Sequence, residues 1–221
     1  MTGVRFAGSH RRPVVGSARH PSFKVLVTGP FDAGKTTLIE TISEVQVVST
    51  ERDVSDWASD TVAGGNSGRT TVAMDYGRIA IDRDLALHLF GTPGQERFEF
   101  MWDILAEGML GFVLVVDARR PETLVEARGQ QVHFAGLADV PLVVAVNKLG
   151  PNSDTATVLD RVRGYLDVPA EVAVLATDVR DREDVKRVLL ALLHAVAQRL
   201  RARAGDGPAG PPAASARAVG S

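Results

Sequence analysis

Apolar residues in this chain fall into short runs, separated by longer stretches where they recur at helical spacing. Phe23–Thr28, Gly111–Asp117, Leu142–Val146 and Val172–Ala176 have the length and β-branched content of buried strands. Thr71–Tyr76 and Leu85–Phe90 are two more such runs, joined by Gly77–Asp84, and they read as a hairpin. Helices are expected at about 35–46, 95–107 and 121–137, and from a Ser153 or Asp154 cap to about 166. A last helix starts after Asp181, with Asp184 near its cap. It carries Val185, Val188, Leu189, Leu192, Leu193 and Val196 at helical spacing. Strands alternating with helices imply an α/β fold, a mostly parallel six-stranded sheet with helices on both faces. In such sheets the ligand crevice lies at the C-terminal strand ends.

The ends of the chain do not join this pattern. Residues 1–21 carry Arg5, Arg11, Arg12 and Arg19, no acidic residue and no period, and are expected to be a disordered basic arm. Residues 204–221 are rich in Pro, Ala and Gly and are expected to form a tail that cannot pack. The folded domain is then 22–203. Within it, 49–69 is polar and Gly-rich around Gly64-Gly65-Asn66-Ser67-Gly68, and reads as a long mobile loop.

The first strand runs into Gly29-Pro30-Phe31-Asp32-Ala33-Gly34-Lys35-Thr36-Thr37, a G-x-x-x-x-G-K-[ST] pattern between a strand and a helix. Glycines at 29 and 34 let backbone N–H groups converge, and the helix start adds its dipole, which suits phosphate oxygens. Lys35 is expected to reach the β/γ-phosphates, and the Thr36 hydroxyl to ligate Mg²⁺. Gly29, Asp32, Ala33, Gly34, Lys35, Thr36 and Thr37 are therefore nucleotide-site candidates.

Composition narrows the remaining classes. The 221 residues are 45% hydrophobic with a net charge of -2, so there is no global basic field for nucleic acid. The absence of cysteine excludes disulfides and a cysteine zinc site and makes the cytoplasm the expected compartment. No run of about 18 apolar residues exists to span a bilayer, and no secretory signal or lipidation site is expected, leaving at most peripheral membrane contact.

A second motif, Gly91-Thr92-Pro93-Gly94-Gln95-Glu96-Arg97-Phe98, follows the first by about 55 residues. With the phosphate loop it makes the chain resemble Ras-like small GTPases. Together with Thr70-Thr71-Val72-Ala73-Met74-Asp75-Tyr76-Gly77 it is similar to the bacterial MglA-type group and the small GTPases of actinobacterial conservon operons. The resemblance covers roughly 23–200. It implies a P-loop, small-GTPase-like fold in which the Gly94 N–H meets the γ-phosphate and Gln95 orients the attacking water, with Lys35 and Gln95 as catalytic groups. It also implies that Thr71, with Thr70 as the alternative, joins Thr36 on Mg²⁺. Arg69 just before them reads as a surface arginine, with a charge supplied in cis as the alternative. The implied partners are GTP or GDP and a roadblock-type, MglB-like regulatory protein. A docking face is expected near Phe98, Phe100, Met101 and Trp102.

Three positions depart from that pattern. Gly91 stands where the family usually has a Mg²⁺-site aspartate. Asp75 lies roughly 13 Å along its strand from Thr71 at ~3.3 Å per residue, a poor reach, and Asp117 at a strand end is the better substitute on that reckoning. Asn147-Lys148-Leu149-Gly150 follows a strand as the guanine-reading motif does, but Gly150 replaces the carboxylate that accepts from guanine. Asp178, beside Thr177 in the loop that also touches the base, is the candidate replacement. Finally, Phe31 is bulky, and Asp32 matches a position where potassium-dependent GTPases carry Asp or Asn, which raises a monovalent cation such as K⁺ as a cofactor. The expected function is a GTP-binding switch with slow, Mg²⁺-dependent hydrolysis. The alternatives are a nucleotide-binding module with little hydrolysis and an ATP-using P-loop enzyme.

Overall fold

The computed structural model describes residues 22–53, 71–82, 85–93 and 96–205; for 48–53, 71–73, 96–98 and 205 it describes the backbone alone. The strands are β1 (Ser22–Thr28), β2 (Val48–Asp53), β3 (Thr71–Asp82), β4 (Leu85–Gly91), β5 (Met109–Asp117), β6 (Leu142–Asn147) and β7 (Ala173–Ala176). The helices are α1 (Lys35–Ile42), α2 (Trp102–Ala106), α3 (Leu124–Leu137), α4 (Thr155–Leu166) and α5 (Arg182–Gly205), with a 3-10 turn, Glu96–Met101, ahead of α2.

The strands form one sheet in the order β2-β3-β4-β1-β5-β6-β7. From β4 to β7 every pair is parallel, while β2, β3 and β4 pair antiparallel. The architecture is the mostly parallel α/β sheet expected, with one strand more. β2 occupies 48–53, where the loop was expected to begin at 49. It is an edge strand paired only to β3, so Val-Ser-Thr-Glu-Arg-Asp needs no apolar run to hold it. The first helix ends at Ile42 rather than near 46, and the hairpin is longer, since β3 continues to Asp82.

Successive residues of the central strands point to opposite faces and feed different cores. Val25, Val27, Val113, Val115, Val143 and Ala145 pack on α1 and α5, through Leu38, Ile39, Val185, Val188 and Leu192. Their neighbours Leu114, Val116, Val144 and Val146 face Leu124, Val162 and Leu166 of α3 and α4. Leu26 and Phe112 face Trp102, Leu105 and Phe134. Each such side chain contributes ~1.5–3 kcal/mol on burial, so the layers on either face hold the sheet rigid. Chain order reverses around β1, whose neighbours are β4 and β5. That reversal opens the crevice at the C-terminal end of β1, where the phosphate loop begins.

Candidate functional site

The phosphate loop is a backbone device. Gly29 has φ 145, and a Cβ there would sit 2.1 Å from the Val115 carbonyl oxygen. Gly34 has φ 113, and its Cβ would meet Asn147 Nδ2 at 2.6 Å. Between them Asp32 takes φ 60, so left-handed residues recur along the loop and turn N–H groups to one side. α1 starts at Lys35, and the buried Lys35 Nζ donates to the carbonyls of Gly29 at 2.7 Å and Pro30 at 2.8 Å. Loss of hydration pulls this ammonium down to about 8 from 10.5, against the opposing pull of Glu126, Asp75 and Asp32.

At the phosphate end the hairpin register overturns the along-strand reckoning. Asp75 pairs directly across from Gly91, and Thr36 Oγ1 donates to Asp75 Oδ2 at 2.5 Å. A Cβ built on Gly91 would lie 3.0 Å from Asp75 Cβ and 3.2 Å from Oδ2. Asp75, not Asp117, therefore brings a carboxylate to Thr36. Distance along β3 was the wrong measure, because antiparallel neighbours meet across the ladder. A hydroxyl and a carboxylate in contact beside a phosphate loop fit a hard divalent cation, which takes one or two protein oxygens and the rest from phosphates and water. Among the described residues no group of three or more His, Asp or Glu offers an alternative cage.

A buried polar chain lies behind the loop. Thr92 Oγ1 donates to Thr28 Oγ1 at 2.9 Å, Thr28 Oγ1 to Gln130 Oε1 at 2.9 Å, and Gln130 Nε2 to Glu126 Oε1 at 3.2 Å. It ties the start of the second motif to the end of β1 and to α3. The readable signal was a glutamine on the buried face of a helix.

The base end is a cleft of about 740 Å³ lined by residues of the loop, of Asn147–Pro151 and of Ala176–Arg180. Asn147 Nδ2 donates to the Ala33 carbonyl at 2.9 Å, and Asn147 Oδ1 accepts from the Val179 N–H at 3.4 Å, so it pins loop to loop. Lys148, at φ 60, donates from Nζ to the Asp32 carbonyl at 2.5 Å and to Asp32 Oδ2 at 3.1 Å. The same Nζ lies 3.0 Å from Asp117 Oδ2. Burial would raise Asp117, but Lys148 and Arg119 hold it below the usual carboxylate range. Asp117 is thus committed to the cations Lys148, Arg119 and Arg120 behind the phosphate loop.

Gly150 exposes the base end without a carboxylate, and Ser153 fills in beside it. The Gly150 N–H donates to Ser153 Oγ at 3.1 Å, and a Cβ at 150 would meet that oxygen at 3.2 Å. Asp178 is already committed. Arg180 grips it through Nε at 2.9 Å and Nη2 at 2.8 Å, and holds it at about 2. Thr177 is buried, its N–H on the Val146 carbonyl at 2.9 Å, which fixes the loop from below. Ala33 and Thr37 lie in the loop and the first turn of α1, where they were expected.

Gly94 and Gln95 lie outside the described residues, as do Arg69, Thr70 and the side chains of Thr71 and Phe98. Thr71 opens β3. The expected docking face changes: Trp102 is buried against Phe134 and Met101 is half-buried, while Phe100 is 61% exposed and Ile104 57%.

The family described as "Conserved hypothetical ATP binding protein" matches residues 27–199, which include both motifs and the whole cleft. The chain belongs to this family. As a member of the conserved hypothetical ATP binding proteins it is a nucleotide-binding P-loop protein, and its fold is that of the class. It is similar to Uncharacterized protein MJ1339 of Methanocaldococcus jannaschii, 36% identical over 97 residues, 44% of this chain and 52% of the relative. It is also similar to translation initiation factor IF-2 of Cutibacterium acnes, 34% identical over 149 residues, 64% of this chain and 13% of that protein. A match to IF-2 of onion yellows phytoplasma is 27% identical and covers 80% of this chain and 27% of the factor. The chain thus spans about half the length of the archaeal relative, at 52%, and a smaller part of the factors. No helix among the described residues is long and apolar enough to cross a membrane.

Proposed function

We propose that this chain is a GTP-binding switch that hydrolyses GTP slowly with Mg²⁺ and answers to a roadblock-type partner. The reading is carried by one observation, the contact of Thr36 with Asp75 beside a buried Lys35. Thr36, Asp75 and Thr71 would hold the ion, which would offset the negative charge of the phosphates. Lys35 releases the carbonyls of Gly29 and Pro30 to meet the β/γ-phosphates. The Gly94 N–H contacts the γ-phosphate, and Gln95 orients the attacking water. Asn147 and Lys148 hold the base-side loops against the phosphate loop. The exposed Phe100 and Ile104, on the segment that follows Gln95, support a docking face there.

A second reading, adenine nucleotide, has its own observation. A neutral Ser153 hydroxyl beside Gly150 does not demand the two donors of guanine, and the family description names ATP. The deciding experiment is to release and identify the nucleotide that purifies with the protein, then follow single-turnover hydrolysis of GTP with and without Gln95→Leu. Guanine nucleotide and a slowing of about 100-fold, the cost of a misplaced reactant, are expected. Adenine nucleotide alone would replace GTP by ATP, and identical traces would remove Gln95 from the mechanism.

A further inference from the structure

Charge does not balance around the outer turn of the phosphate loop. Asp32 Oδ2 receives Lys148 Nζ at 3.1 Å and Arg120 Nη2 at 3.3 Å. Asp117 Oδ2 receives Lys148 Nζ at 3.0 Å and Arg120 Nε at 3.1 Å, and its other oxygen lies 3.4 Å from Arg119 Nε. Three cations therefore share two carboxylates among these described side chains, leaving one positive charge over. Arg120 is the one most directly set on the loop, since its Nη2 also donates to the Phe31 carbonyl at 2.8 Å. The loop after β5 thus holds a guanidinium against Phe31 and Asp32, at the turn where Asp32 goes left-handed. Its side chain is one-third exposed, at 33%, and lies on the phosphate loop beside Arg119, which lines the cleft.

A purely structural clamp on Asp32 is complete with Lys148 alone, whose Nζ already bonds the Asp32 carbonyl and carboxylate. A second, planar cation on the same turn gains most when an anion arrives. Arginine suits phosphate oxygens, because its fork offers paired donors and never loses its proton. The site of a monovalent cation on Asp32 is also taken, since two cationic side chains already occupy that carboxylate. We propose that Arg120 is the chain's own phosphate-sensing cation: it contacts the terminal phosphate of a bound nucleoside triphosphate and makes an added monovalent cation unnecessary at Asp32. The inference rests on reading the cleft as a nucleoside triphosphate site.

The test avoids hydrolysis. Nucleotide-free protein with Mg²⁺ is titrated calorimetrically with GTPγS and GDP, and with ATPγS and ADP as a parallel pair, in NaCl and in KCl. Arg120→Ala should weaken the thiophosphate analogues about tenfold, the worth of one charged hydrogen bond, and leave the diphosphates within about twofold. Arg120→Gln keeps a donor for Phe31 but no charge and should behave like the alanine variant, while Arg120→Lys should recover most of the discrimination. Wild type should not distinguish the two salts. Equal losses for tri- and diphosphates would make Arg120 a clamp and overturn the proposal, as would no loss in any variant, or a wild-type affinity that rises severalfold in KCl. If the alanine variant does not fold, the glutamine and lysine variants decide by the same criteria. Wild type that binds none of the four nucleotides would overturn the reading of the cleft itself, before any variant is needed.

Discussion

The two ends of the cleft carry glycine where a GTPase-like pattern places a carboxylate, Gly91 at the phosphate end and Gly150 at the base end, and each is backed differently. Opposite Gly91 stands Asp75, whose oxygen lies 3.2 Å from where a side chain at 91 would begin. Beside Gly150 stands Ser153, whose oxygen lies at the same 3.2 Å. The geometry is nearly the same, but the chemistry is not. At one end a carboxylate is supplied from the neighbouring strand, so the charge that a divalent ion needs is kept. At the other end a neutral hydroxyl accepts the Gly150 N–H, and no charge is restored. On the proposed reading, charge is maintained where phosphate and metal would sit, and relaxed where only the base would be read.

The largest expected effect comes from removing the relocated carboxylate. Asp75→Asn should weaken Mg²⁺-dependent triphosphate binding by about 10–100-fold, the usual cost of losing a group that orients a metal site. Gly91→Asp alone should cost about 1–3 kcal/mol of stability through crowding against Asp75, measured by chemical denaturation. Combining Asp75→Gly with Gly91→Asp moves the charge back across the ladder and should restore most of the affinity. If the double variant binds no better than Asp75→Asn, the two positions are not interchangeable across the ladder, and the comparison breaks at its stronger end.

The matching change at the base end is Gly150→Asp. The glycine has no positive φ, and the nearest atom to a new Cβ is the mobile Ser153 hydroxyl, so the site accepts the side chain. The guanine-to-adenine affinity ratio should rise by about 10–100-fold, the range for hydrogen bonds to a charged acceptor. Competition between GDP and ADP measures it. A wild type that already prefers guanine by that margin would mean another group reads the base.

These two sites also show how far the chain was legible before its structure. The apolar runs 23–28, 111–117 and 142–146 revealed their strands because both faces of each are buried, and the parallel core follows from them. The loop Gly29–Lys35 was legible for a similar reason: its glycines meet backbone and Asn147 at distances that no side chain tolerates. β2 was not legible, since an edge strand paired on one side leaves little hydrophobic signature. Asp75 was visible but misplaced, because its role depends on the register of Asp75 with Gly91, a pairing between strands that periodicity along one strand does not encode. Asp117 and Asp178 were likewise legible as carboxylates; what they pair with, Lys148 and Arg180, depends on loops that only the fold brings together.

pH separates the two ends further. The free protein's Lys35 loses its proton near 8, well below 10.5. Phosphate binding needs that charge, so triphosphate affinity should fall about tenfold per pH unit above about 8. The stability of the free protein has the opposite sign. Between about 8 and 10.5 the fold binds fewer protons at Lys35 than the unfolded chain, so stability from this group rises with pH across that window. Base discrimination, which involves no such group, should stay flat over the same range. A guanine-to-adenine ratio that tracks the pH profile of affinity would couple the two ends.

The smallest effect is expected at Asp178, and it bears on why the base end stays neutral. Its carboxylate is exposed yet held by both Nε and Nη2 of Arg180, and by the Arg180 N–H at 3.0 Å. A carboxylate with its oxygens occupied has little left to offer guanine. Arg180→Ala should free it, and guanine preference should rise by only about threefold, because an exposed group gains little from a hydrogen bond that competes with water. Stability should change by less than about 0.5 kcal/mol, as for most surface substitutions. A tenfold rise would mean that Arg180 masks a working guanine reader. The missing charge of Gly150 would then be present at the base end after all, and the contrast with Asp75 would be one of access rather than of chemistry.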